Sequence, residues 1–436
     1  MGQAISDKAA FTPDFTAERY YSIGHIFRRS GQQFIRKFKP SSHICKVIRA
    51  IALCRTPALG GLSYVCKDCG DIHSIYASCG NRNCPICPAV KKEIWLQKRA
   101  EALLPVKYYH LVFTLPHSLN ILCANHPREM YDLLFRCAWN SLSQLMQKTK
   151  WCGAQTGMTA VLHTWGQQMM LHPHLHCIVP AGGLSKDKKR WIDARNKNVL
   201  VDAKTLMNEF KTLYINELKE MIEDENFYFT GEAHQYGDAT EREKLYQEIT
   251  KKKWAVWLKS PDAGPQQTLE YLSRYVNSVA ISESRILEIT DESITIQYKN
   301  YAKENAEGLP EKEKMTLTDE RFFKRFLMHV LPPRFHRIRY YGLHHPTNRK
   351  TKLAICQQLL NVVLILVSVA QIQCFLFEKL GIDPTLCRFC GSPNRAVYNL
   401  IPDKILHQKI VNFPPFARPP PTVFQAPPVG SVIDFQ

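Results

Sequence analysis

The stretch from Val161 to Gly183, VLHTWGQQMMLHPHLHCIVPAGG, constrains the fold more tightly than any other part of the chain. It sets His163, His172, His174 and His176 along two runs that read as short strands. Side chains on a strand alternate between faces, so His174 and His176, separated by Leu175, share one face. An antiparallel neighbour spanning Gly157 to Trp165 brings His163 across from that pair. Three imidazoles on one sheet face make a pocket that leaves metal positions open for a substrate, a catalytic rather than a closed structural arrangement. His172, just before Pro173, is read as set apart from the other three.

The chain has 436 residues, too many for one ordinary core, and divides into a few units. Its formal charge of +18 points to a polyanionic partner, and nucleic acid is the commonest. The fifteen cysteines cluster in CxxC pairs, and the N-terminal residues have no apolar signal core. Metal ligation in a reducing compartment is therefore expected, with a cytoplasmic, nucleoid-associated location. The run Val362 to Ala370 is too short to span a bilayer and reads as a buried helix.

Cys66 and Cys69 form one knuckle, and Cys84 and Cys87 form a second. Two such pairs can hold one tetrahedral Zn²⁺ in a module too small to fold without it. Cys54, His73 and Cys79 are possible extra ligands. A last pair, Cys387 and Cys390, has only Cys374 and His407 near it in sequence and reads as half a site.

Between Arg19 and Lys67 there is no acidic residue, and none between Arg321 and Phe377. Arg28, Arg29, Arg36 and Lys37 in the first stretch are candidates for DNA contacts. In the second, Arg334, Arg337 and Arg339 are interleaved with aromatics, a mixture that suits stacked bases and paired phosphates. The order of elements fits an α+β fold with a central antiparallel sheet flanked by helices. Helices are predicted over 129–148, over 203–222 and over 240–260, the last carrying Trp254 and Trp257. Another covers TLEYLSRYVNSVAI, which places Tyr271 and Tyr275 on one face.

These parts combine into one reaction. A divalent ion on the imidazoles polarises a scissile phosphate, and a tyrosine attacks phosphorus, leaving a 5′-phosphotyrosine and a free 3′-hydroxyl.

Several motifs then occur in a specific order: CRTPALGG before CKDCG, SCGNRNCPIC, FTLP at Phe113 to Pro116, HTWGQ, HPHLH, YLSRYVNSVAIS, and RIRYYG at Arg337 to Gly342. Over residues 20–392 the chain resembles the IS91-type transposases, of the HUH (His-hydrophobe-His) single-strand DNA endonucleases. The resemblance implies a five-stranded antiparallel sheet with His174 and His176 as the metal pair and His163 as the third histidine. It also implies Tyr271 and Tyr275 as paired nucleophiles in rolling-circle-type transposition. Ser278 stands where many members have a basic residue.

The expected cofactors are Mg²⁺ or Mn²⁺ at the histidines and structural Zn²⁺ at the cysteines. The expected partner is single-stranded DNA, with Arg274 beside Tyr275 as a further contact. The expected layout is a basic helical segment (1–60), a zinc module (61–95) and a catalytic domain (100–300). A basic, aromatic and helical C-terminal region (301–392) and a proline-rich, disordered tail (393–436) follow. A replication initiator or relaxase with the same chemistry, and a non-catalytic zinc-dependent DNA-binding regulator, are the alternatives.

Overall fold

The computed structural model describes residues 22–87, 95–96, 99–100, 102–196, 199–259, 270, 272, 275–276, 278–305, 307–362 and 386–411. Helices α1 (Ile23–Phe38) and α2 (Ser42–Leu53) come first. Each begins where a serine oxygen, from Ser22 or Ser41, accepts a backbone N–H of the opening turn. Strands β1 (Gly61–Cys66) and β2 (Ile72–Tyr76) form a hairpin. Then follow β3 (Tyr108–Thr114), α3 (Pro127–Gln147), β4 (Gly157–Trp165) and β5 (Leu171–Pro180). A short charged loop joins β6 (Gly182–Leu184) to β7 (Trp191–Asp193). Helices α4 (Ala203–Glu223) and α5 (Ala239–Lys251) precede β8 (Ala255–Lys259).

The predicted helix over 240–260 stops early. Trp254 is buried in the core and Trp257 lies in β8, because β8 forms the free edge of a sheet that needs a partner for β3.

That sheet has five strands, with Ile338–Gly342 as β12, in the order β12-β4-β5-β3-β8, and every pairing is antiparallel. Its outer strand β12 comes from the region predicted to be helical. The strand ends at Gly342, whose φ of +55° and 2.1 Å approach of a would-be Cβ to the Thr156 carbonyl oxygen leave room only for glycine. The two sheet faces divide the sequence by parity. Leu111, Phe113, Ala160, Leu162, Leu175, Cys177 and Val179 face α3 and α4 and form the main core. Tyr108, Val161 and Ile178 face the other way and pack with Leu272 and Val276 of the tyrosine-bearing segment.

A second sheet, β9 (Ile286–Ile289), β10 (Ser293–Glu304) and β11 (Pro310–Thr318), packs with α1, α2 and α6 (Asp319–Leu327) around a separate core. Phe27 and Phe34 meet Phe323 there at ring-centroid distances of 4.7 and 5.0 Å. The N-terminal helices therefore share their core with residues far along the chain. A third sheet, β13-β1-β2, takes β13 (Arg395–Leu400) from the stretch read as the start of a disordered tail, and α7 (Lys404–Val411) follows it. The tail prediction fails at this point because β13 finds a full-length antiparallel partner in β1. Most of the predicted helix Val362 to Ala370, and the prolines beyond 411, lie outside the described residues.

Candidate active site and cysteine clusters

Antiparallel pairing sets His163 directly opposite His174, while His176 lies opposite Val161 on β4 and Val112 on β3. This is the register that brings three histidines onto one face, and their ligand atoms all lie within 4.8 Å of one another. Each ring is held by one nitrogen. His174 Nδ1 lies 2.6 Å from the His172 carbonyl oxygen, and His176 Nδ1 lies 3.1 Å from His110 Nε2. Those contacts leave Nε2 as the free donor of both rings, as in metal sites where an outer partner fixes the tautomer. His163 Nε2 lies 2.7 Å from the Tyr275 carbonyl oxygen, which ties the histidine strand to the tyrosine segment.

Burial is the first cause of lowered pKa at all three histidines. His174 is brought down to about 4, and His163 and His176 well below the usual value, with neighbouring imidazoles adding repulsion. Neutral imidazole is the form that binds a cation, so the donor set fits a divalent ion.

The Tyr275 ring stacks on His176 at 3.7 Å between centroids. Arg337 secures its backbone: the guanidinium donates to the Ser278 carbonyl oxygen at 2.6 Å and to the Val276 carbonyl oxygen. Ser278, where the resemblance leads one to expect a basic residue, thus meets an arginine through its carbonyl. All of this opens into a cleft of about 900 Å³, lined also by Trp165, His172, Arg285, Tyr298, Lys299 and Tyr301.

His172 was read as set apart. In fact it shares strand and parity with His174 and His176 and lines the same cleft, though it does not join the three-histidine cluster. His110 was missed altogether. The available signal was a lone histidine in the strand-like run YYHLVFT, whose ring lies beside that of His176. Tyr271 and Arg274 lie outside the described residues.

Several arginines and lysines proposed for DNA are engaged within the fold instead. Arg29 pairs with Asp319, Lys37 with Glu320 at 2.6 Å, and Arg339 with Asp132. Arg337 is consumed at the tyrosine segment. Arg28 donates to the Ala52 carbonyl oxygen at 3.2 Å, yet it is exposed on the surface together with Arg36 and Arg334.

The cysteines sort differently from their sequence order. Cys66 and Cys69 do not meet Cys84 and Cys87. Cys84 and Cys87 join Cys54 and Cys79, while Cys66 and Cys69 join Cys387 and Cys390. Knuckles that are neighbours in sequence are thus split between two clusters, because β1 pairs with β13 and carries Cys66 away. The sulfurs of Cys54 and Cys79 lie 3.5 and 3.6 Å from that of Cys87. Four thiolates at about 2.3 Å around a tetrahedral zinc stand about 3.8 Å apart, so this cluster fits Zn²⁺. His73 belongs to neither cluster.

No helix among the described residues is long and apolar enough to cross a membrane. Residues 26–115 match a family described as "Transposase zinc-binding domain", and residues 157–352 match one described as "Putative transposase". The chain is 36% identical to a Sinorhizobium fredii protein named "Putative transposase y4qJ", over 78% of its own length and 84% of that protein's. It is 26% identical to the transposase for insertion sequence element IS801 of Pseudomonas savastanoi pv. phaseolicola, over 89% of this chain and 90% of that one. No solved structure matches. The zinc-binding domain contains the first cysteine cluster, and the second match covers the three histidines and Tyr275. The chain belongs to the IS91-type transposases.

Proposed function

We propose that this transposase nicks and transfers single-stranded DNA through a tyrosine nucleophile, forming a 5′-phosphotyrosine in a rolling-circle-type reaction. The observation that carries the proposal is the Tyr275 ring stacked on His176, beside three converging imidazoles at the floor of an open cleft. Mg²⁺ or Mn²⁺ on His163, His174 and His176 would polarise the scissile phosphate and neutralise charge on its oxygens.

The protein's own groups do the rest. The Tyr275 oxygen forms a bond to phosphorus as the bond from phosphorus to the 3′-oxygen breaks, and the proton lost by tyrosine is balanced by one gained at the released 3′-hydroxyl. The bound Tyr275 carbonyl and the Arg337 contacts limit how far the nucleophile can wander. Lys299 and the exposed Tyr301 ring along the cleft suit a phosphate and an unpaired base. Tyr271 is the proposed second nucleophile, used in the other cleavage or in rejoining.

The test incubates the protein with Mg²⁺ or Mn²⁺ and a single-stranded oligonucleotide from an element end, then looks for a covalent adduct on a denaturing gel. Tyr275→Phe is expected to lower the adduct yield sharply. An adduct that persists in Tyr271→Phe/Tyr275→Phe would end the proposal.

A further inference from the structure

We infer a second zinc site, formed by Cys66 and Cys69 with Cys387 and Cys390, that clasps the C-terminal segment onto the N-terminal module. The two pairs lie far apart in sequence yet present Sγ atoms 3.6 Å apart for Cys66 and Cys390, and 3.7 Å apart for Cys69 and Cys387. These are the spacings of a tetrahedral thiolate cage.

The local backbone supports the same conclusion independently of the sulfurs. Both pairs carry the pattern CxxCG, as CKDCG and CRFCG. In each, the glycine adopts a left-handed φ, +76° at Gly70 and +73° at Gly391. In each, the glycine N–H donates to the carbonyl of the first cysteine, at 3.0 Å for Gly70 to Cys66 and 2.8 Å for Gly391 to Cys387. The first cysteine's own N–H reaches the residue after the glycine, Cys66 to Asp71 at 2.9 Å and Cys387 to Ser392 at 2.7 Å. Two turns of the same build thus face each other. Asp68 bridges them further, accepting from Asn394 Nδ2 at 2.8 Å and from the Ser392 hydroxyl.

The surrounding sheet also needs the ion. Ile72, Val397 and Tyr398 on β2 and β13 are all more than half exposed, so the three strands bury little apolar surface of their own. Cys69 and Cys390 are exposed as well, and bare surface thiols would be open to oxidation. Zinc binding would displace the thiol protons and turn a marginal sheet into a fixed one.

The full-length protein, purified without added chelator, tests this by metal analysis. Two zinc ions per chain are expected, falling to one in Cys387→Ser/Cys390→Ser and to one in Cys66→Ser/Cys69→Ser. The remaining ion reports that the Cys54 cluster is still folded. One zinc in the unaltered chain, or an unchanged zinc content in both variants, overturns the inference.

Should either variant lose all its metal, alkylation of the unaltered protein decides. Cys66, Cys69, Cys387 and Cys390 should resist a maleimide together and become reactive together once a strong chelator is added. Immediate modification of the exposed Cys69 and Cys390, or a disulfide joining the two pairs, contradicts a metal-bound cage.

Discussion

The three-histidine cluster and the Cys54 cluster both gather metal-binding side chains, but they relate to their surroundings in opposite ways. The histidines project from two paired strands of a sheet whose other face is packed against long helices, so their geometry exists before any ion arrives. The cysteines come from the C-terminal end of α2 and from turns over 79–87, a segment in which the described residues form no helix or strand. The first cluster is positioned by the fold, whereas the second helps to make it. The former has three donors and open positions, and the latter has four donors and none, which separates a reacting site from a closing one.

The largest effect that could break this contrast is metal loss at the cysteines. Cys84→Ser/Cys87→Ser should remove that zinc and unfold the N-terminal module, since structural zinc contributes on the order of 10 kcal/mol to small modules. Far-UV circular dichroism and proteolysis would show it. By comparison, His174→Gln should abolish adduct formation while leaving the melting temperature nearly unchanged. An equal loss of stability in both would erase the distinction.

Acid provides the next test. His329 and His344 are fully enclosed at the two ends of β4, bonded to Thr164 and Thr159, and burial lowers each to about 4. Their folded pKa lies below the unfolded value of about 6.5, so the unfolded chain takes up protons first. The stability tied to the neutral rings is complete above pH 6.5 and is lost as pH falls toward 4, by on the order of 3 kcal/mol for each. Denaturant melts of His344→Gln against the unaltered chain should show a shallower pH slope in that window, and identical slopes would refute the assignment.

The smallest effect concerns His110. If it orients His176, His110→Ala should weaken Mn²⁺ affinity about 10- to 100-fold without changing the fold. Titration by calorimetry measures this directly, and unchanged affinity would reduce His110 to a packing residue.

The histidine hairpin was legible because strand parity and antiparallel pairing are local rules, and His163 lies within thirteen positions of His174 and His176. His172 alternates in step with the pair on the same strand, yet it stays outside the cluster. The cysteine assignment failed because one CxxC looks like another, and proximity in sequence was the only guide to partnership. Strands β12 and β13 were missed for a related reason. A short edge strand is specified by the neighbour it completes, and RIRYYG or RAVYNL alone says little about β4 or β1. The basic residues misled in a different way: the acids that neutralise Arg29 and Lys37 stand just ahead of the second basic stretch, at Asp319 and Glu320, where a reading confined to the first stretch does not look.

The position of β12 has a consequence for synthesis on the ribosome. Strands β3, β4, β5 and β8 all emerge before Ile338, so until then β4 presents an unpaired edge to the cell. Such an edge invites pairing with other nascent chains. A copy of the gene cut short before Ile338 would thus yield an aggregation-prone polypeptide with all three histidines in place, and truncated copies would be silenced by misassembly before chemistry could matter.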